Sequence, residues 1–196
     1  MQDTLTVKSV TKVIGLECVD STQNLAKELA LAGEPEGTMV LACCQTAGRG
    51  RYERSFDSGE GGVYFTLILR PQKPAACNAS LSVRVGEAVA KTLTEMFGFK
   101  TKIKHPNDVL VWEAQSKKWK KICGILIESS TEANHTQWLL VGVGINVNNR
   151  LSASLQDGAT SVKKVLGREI DPEWILQEVL ESFFAQYAQW QLSSQI

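Results

Sequence analysis

Gln45-Thr46-Ala47-Gly48-Arg49-Gly50-Arg51 places two glycines and two guanidinium groups in four consecutive positions, directly after an apolar run. Residues 38–44 before it read as a buried strand. Residues 62–69 after it read as a second, with Val63, Phe65, Leu67 and Leu69 alternating ahead of Pro71. The glycine-arginine segment therefore joins two strands. Glycine lets backbone N–H groups approach a ligand with no Cβ in the way, and arginine offers planar donor pairs for carboxylate or phosphate. The segment reads as a local anion cradle, with a solvated hairpin as the plain alternative.

Working outward, residues 13–18 read as a strand, and Asp20-Ser21-Thr22 offers caps for a helix with Leu25, Ala26, Leu29 and Ala30 on one face, ending at Gly33. Leu81, Val85, Ala88, Val89, Leu93 and Met96 recur at helical spacing before Gly98, which predicts a second helix with a glycine stop. Strand-like runs follow at about residues 101–104, 121–129 and 137–147, separated by the turn residues Pro106-Asn107-Asp108 and a polar stretch over 131–135. A last helix starts near Asp171-Pro172 and buries Leu176, Val179, Leu180, Phe183 and Tyr187. No repeat, low-complexity tract or linker interrupts the chain. The expectation is one α+β (mixed α/β) domain over residues 1–196, a mixed β-sheet packed with helices.

Composition narrows the function. In 196 residues, 43% apolar, 21 basic and 21 acidic side chains cancel, so neither nucleic acid nor an anionic membrane is attracted at long range and any anion site must be local. A nucleic-acid binder using the basic stretch 100–121 is the weakest alternative. Cys18, Cys43, Cys44, Cys77 and Cys123 are odd in number, lack metal-type spacing and sit mostly in apolar runs, which predicts reduced, buried thiols and no zinc site. Residues 1–12 are too polar for a signal peptide, and the longest apolar stretch, 138–147, is too short to span a bilayer, so a cytoplasmic protein is expected.

Three further segments carry chemistry. Lys104-His105-Pro106-Asn107-Asp108 is a proline-restrained turn whose Asp108 offers an acceptor-only carboxylate of the kind magnesium uses beside substrate phosphates. In Lys120-Lys121-Ile122-Cys123-Gly124-Ile125-Leu126-Ile127-Glu128 a charge run beginning at Lys117 feeds a buried strand. A solvated hairpin end is its ordinary reading. Lys121, beside apolar residues and Gly124, is also placed to bring an ammonium to a pocket edge, where it would hold a carboxylate and an α-phosphate during adenylation. In Val141-Gly142-Val143-Gly144-Ile145-Asn146-Val147-Asn148 alternate glycines interrupt a β-branched strand, a sign of close approach by a ligand or by another part of the chain.

Together these segments resemble the biotin protein ligase family along nearly the whole chain and in the family's order. The G-R-G-R loop is Gly48 to Arg51, the K-W-P-N-D segment is Lys104 to Asp108, the K-x-x-G-I-L segment is Lys121 to Leu126 and the G-x-G-I-N strand is Gly142 to Asn146; Asp20-Ser21-Thr22 matches the family's D-S-T helix start. The resemblance implies the biotin/lipoate protein ligase catalytic-domain fold and a two-step reaction: biotin and MgATP give biotinyl-adenylate, then a lysine of a biotin carboxyl carrier domain of a carboxylase attacks it. It further implies that Ser21, Thr22, Gln23, Gln45, Gly48, Arg49, Gly50, Arg51, Lys121, Gly124, Gly142 and Gly144 bind biotin. Arg49, Arg51, Arg54, Phe56, Asn107, Asp108, Lys121 and Asn146 would bind ATP. Lys121, Arg51 and Asp108 would be catalytic, with Asp108 the candidate magnesium ligand.

The chain also departs from the family pattern. Tyr52-Glu53-Arg54-Ser55-Phe56 replaces a glycine followed by a tryptophan, leaving Phe56 to stack on adenine, and His105 stands for a tryptophan as a packing replacement. No winged-helix domain is expected before Val7 and little of a C-terminal β-barrel after Tyr187, so a repressor role is not expected; monomer and homodimer both stay open. Two alternatives remain: a lipoate or octanoate ligase or transferase of the same superfamily, against which the G-R-G-R loop argues, and a non-catalytic biotin-binding protein, against which Lys121, Asp108 and Arg51 argue.

Overall fold

A computed structural model describes residues 7–193, and within them the alternation of apolar side chains resolves into one seven-stranded sheet. The strands are β1 (Lys12–Val19), β2 (Thr38–Gln45), β3 (Val63–Leu69), β4 (Thr101–Lys104), β5 (Asp108–Glu113), β6 (Lys118–Glu132) and β7 (His135–Ile145). They lie in the order β1-β2-β3-β7-β6-β5-β4, with β1 and β2 parallel and every other neighbouring pair antiparallel. The expected mixed sheet with helices is therefore the fold observed. The reading of residues 1–12 as a non-signal terminus lies partly outside the described residues.

Helix α1 (Thr22–Leu31) starts where Ser21 caps it and packs Ala26 and Ala30 with Val40, Ile68 and Leu140 on one face of the sheet. On the other face α2 (Asn78–Phe97) and α4 (Pro172–Leu192) bury Leu81, Val85, Val89, Leu176 and Leu180 against Leu67, Val109, Ile122 and Val141. Gly98, at φ 67°, ends α2 in the left-handed conformation that glycine adopts without strain. Asp171 caps α4 ahead of Pro172. Two elements were not anticipated: β5, and the five-residue helix α3 (Val162–Leu166).

The expectation of five reduced cysteines is corrected. Cys18 and Cys44 face each other in the parallel β1–β2 register, 4.8 Å apart at Cα, and are joined in a disulfide. The spacing lies inside the range that disulfide geometry allows. Cys123 is fully buried, and burial pushes its thiol up to about 12, although the nearby Lys121 charge acts the other way.

Candidate functional site

The cleft lies over the sheet, where the start of α1, the loop between β2 and β3, the Asn107-Asp108 turn, β6 and the C-terminal part of β7 converge. Ser21, Thr22, Gln23, Gln45, Thr66, Phe56, Asp108, Lys121, Gly124, Gly142 and Gly144 all line it, with Arg49, Gly50, Arg51, Arg54 and Asn107 at its loop side. Most residues expected to form a site are thus brought together.

One end of the cleft is neutral and polar. Gln45 Oε1 accepts from the Thr22 backbone N–H (2.8 Å) and from Thr22 Oγ1 (3.1 Å), so it satisfies a donor that every helix start leaves without an intrahelical partner. Gln45 Nε2 donates to Ser58 Oγ (2.8 Å), which donates to the Phe56 carbonyl (3.0 Å) and so ties the loop to the helix. Thr66 Oγ1, fully buried in the otherwise apolar β3, reaches Thr22 Oγ1 (3.0 Å) and Gln23 Oε1 (3.2 Å). Thr66 was missed from sequence. Its signal is the one aliphatic hydroxyl in the run Val63-Tyr64-Phe65-Thr66-Leu67.

The other end is charged. Lys121 Nζ and Asp108 Oδ1 form an ion pair of 2.7 Å with both side chains partly open to solvent. The β5–β6 register shifts between Val109 and Leu110, which places Ile122 as an extra residue on β6 between Lys121 and Cys123. Such a bulge re-aims the side chains around it. Lys121 is held further by a short parallel pairing: its N–H donates to the Gly158 carbonyl (2.9 Å), and its carbonyl accepts from the Thr160 N–H (2.9 Å). Asn107 clamps onto β6 at Ile125 through its backbone and its Nδ2 (3.0 Å), which turns its Oδ1 toward Arg51 Nη1 at 3.5 Å, the outer limit of a hydrogen bond.

The loop carries hydrogen bonds of its own. Gly50 N–H donates to the Arg54 carbonyl (2.7 Å) and Phe56 N–H to the Gly48 carbonyl (2.8 Å), closing a small hairpin whose tip carries Tyr52 and Glu53 at φ 55° and 58°. Arg51 lies over the exposed Tyr52 ring, 4.9 Å from its centroid. Phe56 folds inward, its ring against the open faces of Gly124 and Gly144 and 5.4 Å from Lys121 Nζ. The free volume of about 170 Å³ falls below the hundreds of cubic ångströms typical of ligand sites because that ring occupies part of the cleft.

Four readings change. Asn146 is buried and turned away from the cleft: its Nδ2 donates to the Thr160 carbonyl (3.1 Å) and its Oδ1 accepts from Asn149 (3.1 Å), so it braces the segment that pairs with Lys121. Gly48 does not line the cleft; a Cβ there would meet the Phe56 carbonyl at 2.5 Å, so it is glycine because the hairpin closes over it. Arg49 lines the cleft but is already paired, since Glu128 on β6 accepts from both its terminal nitrogens (2.9 and 3.2 Å). His105 is exposed, joined to Pro106 by a cis peptide, and packs into no wall of the cleft.

Comparison with known proteins decides the family. The model described as the biotin/lipoate A/B protein ligase family matches residues 15–146, more than half of the chain. The chain belongs to that family. Curated relatives include the bifunctional ligase/repressor BirA of Bacillus subtilis, 40% identical over 175 residues that cover 87% of this chain and 52% of that protein. The biotin--[acetyl-CoA-carboxylase] ligase of Paracoccus denitrificans is 36% identical over 178 residues, 88% of this chain and 70% of that one. Among solved structures, the biotin protein ligase from Aquifex aeolicus in complex with biotin and ATP superposes with a TM-score of 0.78 at 32% identity, covering 94% of this chain and 73% of that chain. This family member therefore spans about half the length of its Bacillus relative. Among its described residues no helix is long and apolar enough to cross a membrane.

Proposed function

We propose that the chain is a cytoplasmic, ATP-dependent biotin protein ligase that acts as one catalytic domain, forming biotinyl-5'-AMP and passing the biotinyl group to a lysine of a biotin carboxyl carrier domain. The observation that carries the reading is a single cleft with two chemically different ends: a neutral hydrogen-bonding end at Ser21, Thr22, Gln23, Gln45 and Thr66, and the Lys121–Asp108 pair at the other. A ureido ring, with N–H donors and a carbonyl acceptor, matches the first end, and a carboxylate meeting an α-phosphate matches the second. Lipoate has no such ring, and binding it would leave those polar groups unpaired at a cost.

In this reading the biotin carboxylate attacks the α-phosphorus of ATP, pyrophosphate leaves, and Lys121 bridges the charge that builds on the carboxylate and phosphate oxygens. Arg51 neutralises the same region, and Arg54, Phe56 and Asn107 face the nucleotide. The acceptor amine then attacks the mixed anhydride, an amide forms and AMP departs. Asp108, paired with Lys121, would hold a magnesium ion that would shield the ATP phosphates; among the described residues no three acidic, cysteine or histidine side chains cluster as an ion cage, so the donor set suits an ion held chiefly by phosphates. The loop over residues 48–62 excludes water from the adenylate. No nucleic acid is required, and the active form is a monomer or a homodimer.

The test is incubation with biotin, MgATP and a carrier domain, with lipoate and a lipoyl domain in parallel. ATP-dependent mass gain on the biotin carrier alone is expected. Transfer of lipoate instead, or tight biotin binding without transfer to either carrier, would overturn the assignment.

A further inference from the structure

We propose that Glu128 is a positioning residue that fixes which end of the Gln23 amide faces the cleft, and so makes the polar end selective for a ring that presents an N–H donor. The inference rests on the biotin reading above. Gln23 is buried in the first turn of α1, and its Nε2 donates to Glu128 Oε2 at 2.9 Å. A carboxylate only accepts, so the nitrogen must face Glu128 and the oxygen must face away. That oxygen lies over Gly142, where a Cβ would collide with it.

The Gln23 oxygen keeps acceptor capacity to spare. Among the described residues the donor that reaches it is Thr66 Oγ1, whose single proton is shared between Gln23 Oε1 (3.2 Å) and Thr22 Oγ1 (3.0 Å). A buried carbonyl with a lone pair to fill favours a ligand that donates there and penalises one that cannot, because the unpaired group keeps its desolvation cost.

Glu128 is itself held in place. Arg49 meets it through two nitrogens, Nη2 to Oε1 at 2.9 Å and Nη1 to Oε2 at 3.2 Å, while Nη1 also donates to Asn24 Oδ1 (3.1 Å). The paired donors of arginine set the carboxylate plane. A chain of contacts therefore runs from the loop, through Arg49 and Glu128, to the amide that reads the ligand. A glutamine at 128 would have one oxygen for both neighbours, and satisfying Arg49 would turn its NH₂ toward Gln23 and reverse that amide.

The experiment is calorimetric titration of the wild-type chain, Glu128→Gln and Glu128→Ala with biotin and with a biotin methylated on a ureido nitrogen. Wild type should prefer biotin strongly, and each variant should lose roughly tenfold in biotin affinity while changing less toward the methylated ligand, so that the ratio collapses. The same Glu128 substitutions made beside Gln23→Leu should leave the ratio unchanged. Equal weakening toward both ligands, or an equal effect with Gln23→Leu present, in variants whose circular dichroism and melting match wild type, would overturn the proposal. A wild-type chain that binds no biotin would instead sink the assignment of function on which it rests.

Discussion

Lys120 and Lys121 are neighbours on one strand, yet each has its own carboxylate partner and the two pairs live in different environments. Lys120 and Glu113 meet at 2.9 Å with side chains 5% and 2% exposed; Lys121 and Asp108 meet at 2.7 Å with side chains 31% and 22% exposed. Successive strand residues point to opposite faces. The buried pair is saturated: Lys120 also donates to the Gln156 carbonyl (2.8 Å), and Glu113 also accepts from Ser116 (2.6 Å) and Thr160 (2.7 Å). The open pair has room for a ligand. A charge fully paired out of water holds the fold, whereas the same chemistry left at a cleft edge can exchange its partner for a substrate.

Substituting each lysine tests that division. Lys121→Ala is expected to lower adenylate formation by about a thousandfold or more, in the range seen when a positioned charge is removed from a reacting oxyanion, while the melting temperature stays near wild type. Pyrophosphate exchange reads the first quantity and calorimetry the second; retention of most activity would remove Lys121 from catalysis. Lys120→Ala should do the reverse in kind, costing about 3 kcal/mol of stability because Glu113 is left buried with the Ser116 and Thr160 hydroxyls and only the more distant Lys164, at 3.7 Å, as a cation. A stable Lys120→Ala protein would break the comparison.

Acid sharpens it further. Burial raises the Glu113 carboxyl, but hydrogen bonds from Lys120, Ser116 and Thr160 outweigh burial and hold it at about 2, below its ordinary 4.5. A depressed folded-state value means stability that is present above the unfolded value and lost as pH falls from about 4.5 toward 2, amounting to about 3 kcal/mol at 1.36 kcal/mol per unit. Denaturant unfolding across that window should show the loss for wild type and a flatter profile for Glu113→Gln.

Smaller effects belong to the loop. Arg51→Ala should release adenylate into solution about tenfold faster while leaving its synthesis measurable, which trapping of free adenylate would report. Glu53→Gly should raise stability by about 1 kcal/mol, since Glu53 sits at φ 58°, where a residue with a Cβ is strained and glycine is not. No change in melting temperature would show that the tip is not strained.

Much of this was legible because it is local. The apolar alternation in 62–69, the caps Ser21 and Asp171, and Gly98 after the α2 stripe each specify an element through neighbouring residues alone. The strand β5 carries the same alternation at Val109 and Val111, but a turn signal at Asn107-Asp108 opens it and the charged Glu113 occupies its third inward place, so its pattern reads as surface. Helix α3, at five residues, is too short to show a period. The Cys18–Cys44 bond depends on the parallel register of β1 and β2, which no local feature reveals. At the site, most of the residues that the sequence singles out line one cleft, whereas partners distant in sequence do not show. Asn146 braces Thr160 rather than lining the cleft, and nothing beside Glu128 in the sequence marks it as the shared partner of Gln23 and Arg49.

Gly124 and Gly144 leave the space that the Phe56 ring occupies, and this ties three distant positions to one another in any variant of the chain. A methyl group at either glycine would push the aromatic side chain out of its seat, and the hairpin would report the change before any ligand did. Gly144→Ala should therefore be tolerated better beside Phe56→Leu than alone, as two halves of one inherited fit.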